Sequence, residues 1–96
     1  MEIVWRRAAL NDLEAIREFI DQDNPDAAAR VYEAIRAAVD PLAAHPNIGR
    51  AGRVEGTREL VVSGLPYIIV YRVVEEQVRI MSVMHTSRQW PRRFGR

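Results

Sequence analysis

The spacing of apolar positions changes along this chain, and each change marks an element. Residues 2–6 (Glu2-Ile3-Val4-Trp5-Arg6) are rich in β-formers and predict a short strand. From Ala8 onward Leu13, Ile16 and Ile20 recur at helical spacing with Phe19 alongside, while Asp12, Glu14, Arg17, Glu18 and Asp21 fill the other faces. That pattern predicts an amphipathic helix of roughly four turns. Asp23-Asn24-Pro25 interrupts it. Asn24 suits an N-cap, Pro25 the first helical position, and Asp26 the positive helix end. A second helix follows, with Ala28, Val31, Tyr32, Ile35, Val39 and Leu42 on one face. Pro41 ends or kinks it, because it lacks an amide donor and collides with the preceding turn.

Beyond it the helical period is lost. Residues 45–56 contain three glycines and read as a loop. Residues 58–62 predict a strand, Ser63-Gly64-Leu65-Pro66 a hairpin turn, and residues 67–74 a nearly continuous apolar strand, central and covered on both faces. Glu75-Glu76 predicts the next turn, and Gln77 to His85 the last strand. The tail from Thr86 is polar and basic and carries Trp90 and Phe94. Two helices joined by so few residues are expected to be antiparallel. The expectation is a single α+β domain over residues 1–96, in the order β-αα-βββ. A helical hairpin packs on a small, mainly antiparallel sheet whose first strand lies at an edge.

Composition narrows the chemistry. A chain of 96 residues, 48% of them hydrophobic, supports one core and leaves room for a partner to add stability. With no cysteine, disulfides, thiolate metal sites and a cysteine nucleophile are excluded. The carboxylates of the first helix lack the spacing and histidine partners of a metal site, and no cofactor motif is present. Ser63 and Ser87 lack a Gly-x-Ser-x-Gly setting. The longest apolar runs, such as Tyr67-Ile68-Ile69-Val70-Tyr71, are too short to span a membrane. The first residues lack a signal-peptide core, so a cytoplasmic location is expected. All 14 basic residues are arginines. Lysine chemistry is therefore absent, a bias that the abundance of alanine ascribes to a high-GC genome. Residues 1–48 hold five arginines and nine carboxylates, net −4; residues 49–96 hold nine and four, net +5. An acidic helical half thus precedes a basic sheet half, which argues against direct nucleic-acid binding by the helices.

Taken in order, the segments Ala9…Asp12-Leu13…Ile16…Ile20, Asn24-Pro25…Ala28, Pro46…Gly49-Arg50, Thr57-Arg58-Glu59-Leu60, Pro66-Tyr67-Ile68-Ile69-Val70-Tyr71-Arg72-Val73 and His85…Arg88…Trp90-Pro91 resemble the RelE/ParE superfamily of bacterial type II toxins. The resemblance covers nearly the whole chain. It implies a toxin of growth inhibition and plasmid stabilisation, neutralised by a small ParD- or RelB-like antitoxin whose disordered C-terminal part folds as it wraps the toxin. DNA is then contacted only through the antitoxin's own DNA-binding domain. The superfamily divides by chemistry. RelE-like members cut mRNA in the ribosomal A site, whereas ParE-like members bind DNA gyrase and block it without hydrolysis.

Cutting RNA requires a base for the 2′-hydroxyl, an acid for the 5′-oxygen and cations for the phosphorane. RelE-like cutters place lysines where this chain has Glu59 and Val61, and an arginine where it has Ile68. Arg88 fits the arginine after the last strand, and Phe94 stands where a tyrosine hydroxyl is expected. The set is mostly missing, so the resemblance favours the ParE-like branch. The alternative is a ribosome-dependent endoribonuclease using His85 and Arg88. Arg58, Arg72, Arg88, Trp90, Arg92 and Arg93 are the candidate target-binding residues. Leu13, Ile16, Ile20, Val31 and Ile35 are the candidate antitoxin-docking residues. Tyr67 and Tyr71 share one face and belong to the core, while Arg50 and Arg53 sit in the glycine-rich loop.

Overall fold

The computed structural model describes residues 1–94. The elements are β1 (Glu2–Trp5), α1 (Arg7–Asp21), α2 (Pro25–Val39), a 3-10 turn (Asp40–Ala43), β2 (Arg50–Ala51), β3 (Arg58–Val61), β4 (Tyr67–Val74) and β5 (Gln77–His85). They form one sheet in the order β1-β5-β4-β3-β2. β1 runs parallel to β5 and every other pair is antiparallel. The α+β architecture, the central β4 and the edge position of β1 are as the sequence predicts. β2 is the addition: within the predicted loop, Arg50 and Ala51 pair with Glu59 and Arg58. Two residues flanked by glycines carry no alternation, so no period could reveal them.

Asn24 caps α2 as its position requires, its Oδ1 accepting from the Ala27 amide at 3.0 Å. The α-helix stops at Val39, and Pro41 lies in the tighter 3-10 turn that follows. The helical hairpin covers one face of the sheet. Ala9, Leu13, Ile35 and Val39 pack with Ile69, Tyr71, Ile80 and Val83 in the main core. Asp12 fastens α1 to β5, accepting from Ser82 Oγ at 2.6 Å and from the Val83 amide at 2.9 Å. This arrangement corrects part of the expected docking face. Leu13 and Ile35 are 1% and 0% exposed and belong to the core, whereas Ile16, Ile20 and Val31 stay half-buried. A single apolar stripe serves both purposes, and only the position of the sheet decides which residues it covers.

β5 switches faces partway. Val70 pairs with Ser82 but Tyr71 with Ile80, leaving Met81 as the extra residue of a bulge. Ile80 therefore points to the helices, while Met81 and Met84 join Val70 on the opposite face. There the tail folds back, with Trp90 and Phe94 packed over those three residues. Their rings meet edge to face at 6.2 Å.

The β4–β5 turn is strained. Val74 pairs with Gln77, so Glu75 and Glu76 form a two-residue loop, and both have positive φ (50° and 63°). That geometry favours Asn-Gly, because a side chain at positive φ crowds its own backbone. Glu76→Gly is expected to raise stability by about 0.5–1 kcal/mol, read as a higher urea midpoint at unchanged slope. An unchanged or lower midpoint would mean the turn relaxes at no cost. Among the described residues no helix is long and apolar enough to cross a membrane.

Candidate functional site

The decisive position on β3 is Glu59. Its side chain is 2% exposed, although a carboxylate has no ordinary reason to leave water. Two arginines explain it, Arg50 of β2 and Arg53 of the loop that follows. Arg50 donates to Oε1 through Nε at 3.2 Å and Nη2 at 2.9 Å. Arg53 donates to Oε2 through its backbone amide at 2.8 Å and Nε at 3.2 Å. Burial alone would raise the Glu59 carboxyl. The Arg53 amide and the two guanidiniums outweigh it, holding the carboxyl below its ordinary value. Arg50 and Arg53, about half exposed, are thus occupied by an internal acid.

The neighbouring loop is fixed by buried hydrogen bonds. Tyr71 Oη donates to the Pro46 carbonyl at 2.8 Å and accepts from the Gly49 amide at 2.9 Å. Burial pushes the Tyr71 phenol up, so it keeps its proton and can donate. A Cβ on Gly49 would stand 2.6 Å from Tyr71 Oη and 2.9 Å from the Glu59 carbonyl, so only glycine fits there. Arg58 Nη1 donates to the Gly49 carbonyl at 2.8 Å and to that of Asn47 at 3.3 Å. The expected target-contacting side chain of Arg58 therefore anchors this loop.

His85 lies elsewhere, at the end of β5. With Ile16, Phe19, Ile20, Tyr67 and Arg88 it lines a groove of about 290 Å³ beside α1. The Ser87 amide donates to its Nδ1 at 3.1 Å, and Ser87 Oγ lies 2.8 Å from the same atom. In the neutral ring the proton then sits on Nε2. The ring meets Tyr67 edge-on at 5.4 Å. Among the described residues Arg88 is the one guanidinium lining this groove. Arg88 also lines a second hollow with Trp90. Arg72, Arg92 and Arg93 instead line a separate cavity of about 740 Å³ at the turn end of the open sheet face.

Comparison with known proteins decides the family. Residues 3–90 match the model for the ParE toxin of type II toxin-antitoxin system, parDE. The chain belongs to the ParE toxin family. It is 51% identical over 89 residues to the protein Y4kP of Sinorhizobium fredii, covering 93% of this chain and 92% of that one. Toxin RelE2 of Caulobacter vibrioides is 41% identical over 87 residues, covering 91% and 97%. A chain of the chromosomal ParDE TA system from P. aeruginosa superposes with a TM-score of 0.84 at 28% identity, covering 91% of this chain and 97% of that one.

Membership in this family implies an antitoxin partner for the toxin. Seven of the toxin's arginines fall into three groups on the sheet half: Arg50 and Arg53 holding Glu59, the loop anchor Arg58, and Arg72, Arg79, Arg92 and Arg93 in the larger cavity. Arg79 of that cluster escaped the sequence analysis, since an arginine inside an apolar strand reads as a solvent-facing position. The signal was available. A two-residue turn at Glu75-Glu76 fixes the pairing and sets Arg79 opposite Arg72. Trp90 packs under the Arg53 guanidinium, which lies 3.7 Å from its ring centroid.

Proposed function

We propose that this toxin acts by binding DNA gyrase and not by cutting RNA. The observation that carries this reading is the buried carboxylate of Glu59. It occupies a position where the resemblance expects a phosphate-holding cation, and it consumes two arginines of its own. An acid there repels a phosphorane, and Ile68, 4% exposed, offers no hydrogen bond to one. Among the described residues a single guanidinium shares the groove of His85, whereas cleavage needs several cations around the acid–base pair. Arg88, with Arg92 and Arg93 of the tail, supplies the exposed positive charge for the target contact.

The antitoxin is assigned to the groove beside α1. Phe19 is 73% exposed, and with Ile16 and Ile20 it offers an apolar stripe at helical spacing. Such a stripe accepts the apolar face of an amphipathic segment. His85 and Arg88 line the same groove, so a docked antitoxin would cover Arg88 and silence the toxin by occlusion.

A gyrase supercoiling assay tests the reading. Purified toxin in molar excess is expected to stop supercoiling, and Arg88→Glu to raise the concentration needed by about tenfold or more. Full supercoiling at excess toxin would remove gyrase as the target. The rival reading draws on His85 and Arg88 sharing one groove. It requires codon-position-specific mRNA cuts on induction that His85→Ala abolishes.

A further inference from the structure

Two arginines face each other across the β4–β5 ladder, Arg72 being the register partner of Arg79. Like charges in directly opposed positions repel, and neither side chain is well neutralised. Arg79 has Glu75 at 3.8 Å, but that carboxylate is 82% exposed, and such a pair contributes little. Its Nε donates to Gln77 Oε1 at 3.1 Å. Arg72 has less. Its Nη1 reaches only the Glu55 carbonyl at 3.5 Å, and its Nε is buried with no partner. A buried donor without an acceptor is a cost that folds normally avoid.

The tail adds charge to the same place. Arg92 and Arg93 line the cavity with Arg72 and Arg79, and among the described residues neither has a carboxylate within ion-pair distance. Among the described residues four guanidiniums thus share a cavity of about 740 Å³ with one carboxylate, Glu55. Gly56 leaves the space open: its φ is +79°, and a Cβ there would stand 2.6 Å from Arg72 Nη1. Phe94 forms an apolar wall. The volume lies in the range of small-molecule sites.

We propose that this cavity binds a compact polyphosphate, presented either as a free phosphate chain or by a nucleotide. Guanidinium forks grip phosphate oxygens bidentately, and a phosphate chain concentrates several negative charges within a few ångströms. An acidic peptide would have to converge several side chains on one spot to match it. The cavity is separate from the groove holding His85; it shares Arg92 and Arg93 with the proposed target contact, so it is tested by direct binding and not by supercoiling.

Calorimetric titration of the purified toxin with sodium tripolyphosphate and with ATP, at matched ionic strength, tests it. Saturable binding is expected for tripolyphosphate, weakened at least tenfold in the Arg72→Gln/Arg79→Gln double variant. Because those positions lie inside strands, Arg93→Gln on the exposed tail provides a second variant, expected to weaken binding at least threefold with an unchanged melting temperature. Tighter binding of ATP than of tripolyphosphate, with Phe94→Ala erasing the difference, supports the site and assigns it to nucleotides. Equal binding supports it as a phosphate-chain site. The inference is overturned by the absence of saturable binding at millimolar tripolyphosphate, by equal affinity in the variants, or by a hexaglutamate peptide that binds as tightly.

Discussion

Glu59→Ala is expected to destabilise the toxin by about 2–3 kcal/mol. The carboxylate accepts from both arginines and from the Arg53 amide, and it is the only acid within reach of that trio among the described ion pairs. Removing it leaves two neighbouring guanidiniums and a backbone donor without their acceptor. The cost stays below that of a wholly buried pair because Arg50 and Arg53 are half exposed and can turn to water. Glu59→Gln keeps the shape and loses the charge, so a smaller loss is expected. The pH dependence follows from the lowered carboxyl. A group depressed in the folded state stabilises above its unfolded value, and that contribution disappears as pH falls through the folded value. Wild type is therefore expected to lose more stability than Glu59→Gln between about pH 5 and pH 3. Urea midpoints across that range decide it: parallel loss in both proteins would show that the clasp is not what titrates.

The second large effect separates the two uses of the α1 stripe. Leu13→Ala removes a side chain that is 1% exposed and in contact with the core, and is expected to cost about 2–4 kcal/mol. Phe19→Ala, at a position 73% exposed, is expected to change stability by no more than about 0.5 kcal/mol. In antitoxin binding the order reverses. Phe19→Ala is expected to weaken the complex about tenfold or more, since a large exposed aromatic is a typical interface anchor. Chemical denaturation of the free toxin and titration with its antitoxin give the two numbers independently. A Phe19 variant that binds as tightly as wild type moves the docking surface off this groove.

The helices and the four strands other than β2 were legible because each runs long enough to show a pattern of its own. β2 was not, being two residues whose pairing is set by Arg50 and Arg53 converging on Glu59. That acid shows why site reading from sequence has a particular limit. A glutamate at a cation's position announces the loss of a phosphate ligand, yet its burial and its two partners come from a loop nine and six residues away. The face-switch at Met81 is another such case: consecutive apolar residues in β5 conceal which of them meets the helices. Leu13 and Ile16 are indistinguishable by periodicity, and only the placement of α1 over β5 buries one and leaves the other at the rim.

β1 carries a consequence for how the toxin comes into being. Glu2 aligns with Gln77, and Gln77 Nε2 donates to Glu2 Oε1 at 3.0 Å, a closure spanning 75 positions of chain. β1 is made well before β5 and has no seat until the β4–β5 hairpin has been synthesised. Distant pairings of this kind slow folding, because a long chain must be ordered before any contact rewards it. A nascent copy therefore lacks its finished edge until residues 77–80 have been added. The groove beside α1, lined by Tyr67 and His85 of that same hairpin, is likewise unfinished until the hairpin is complete, so the sheet edge and the groove mature together.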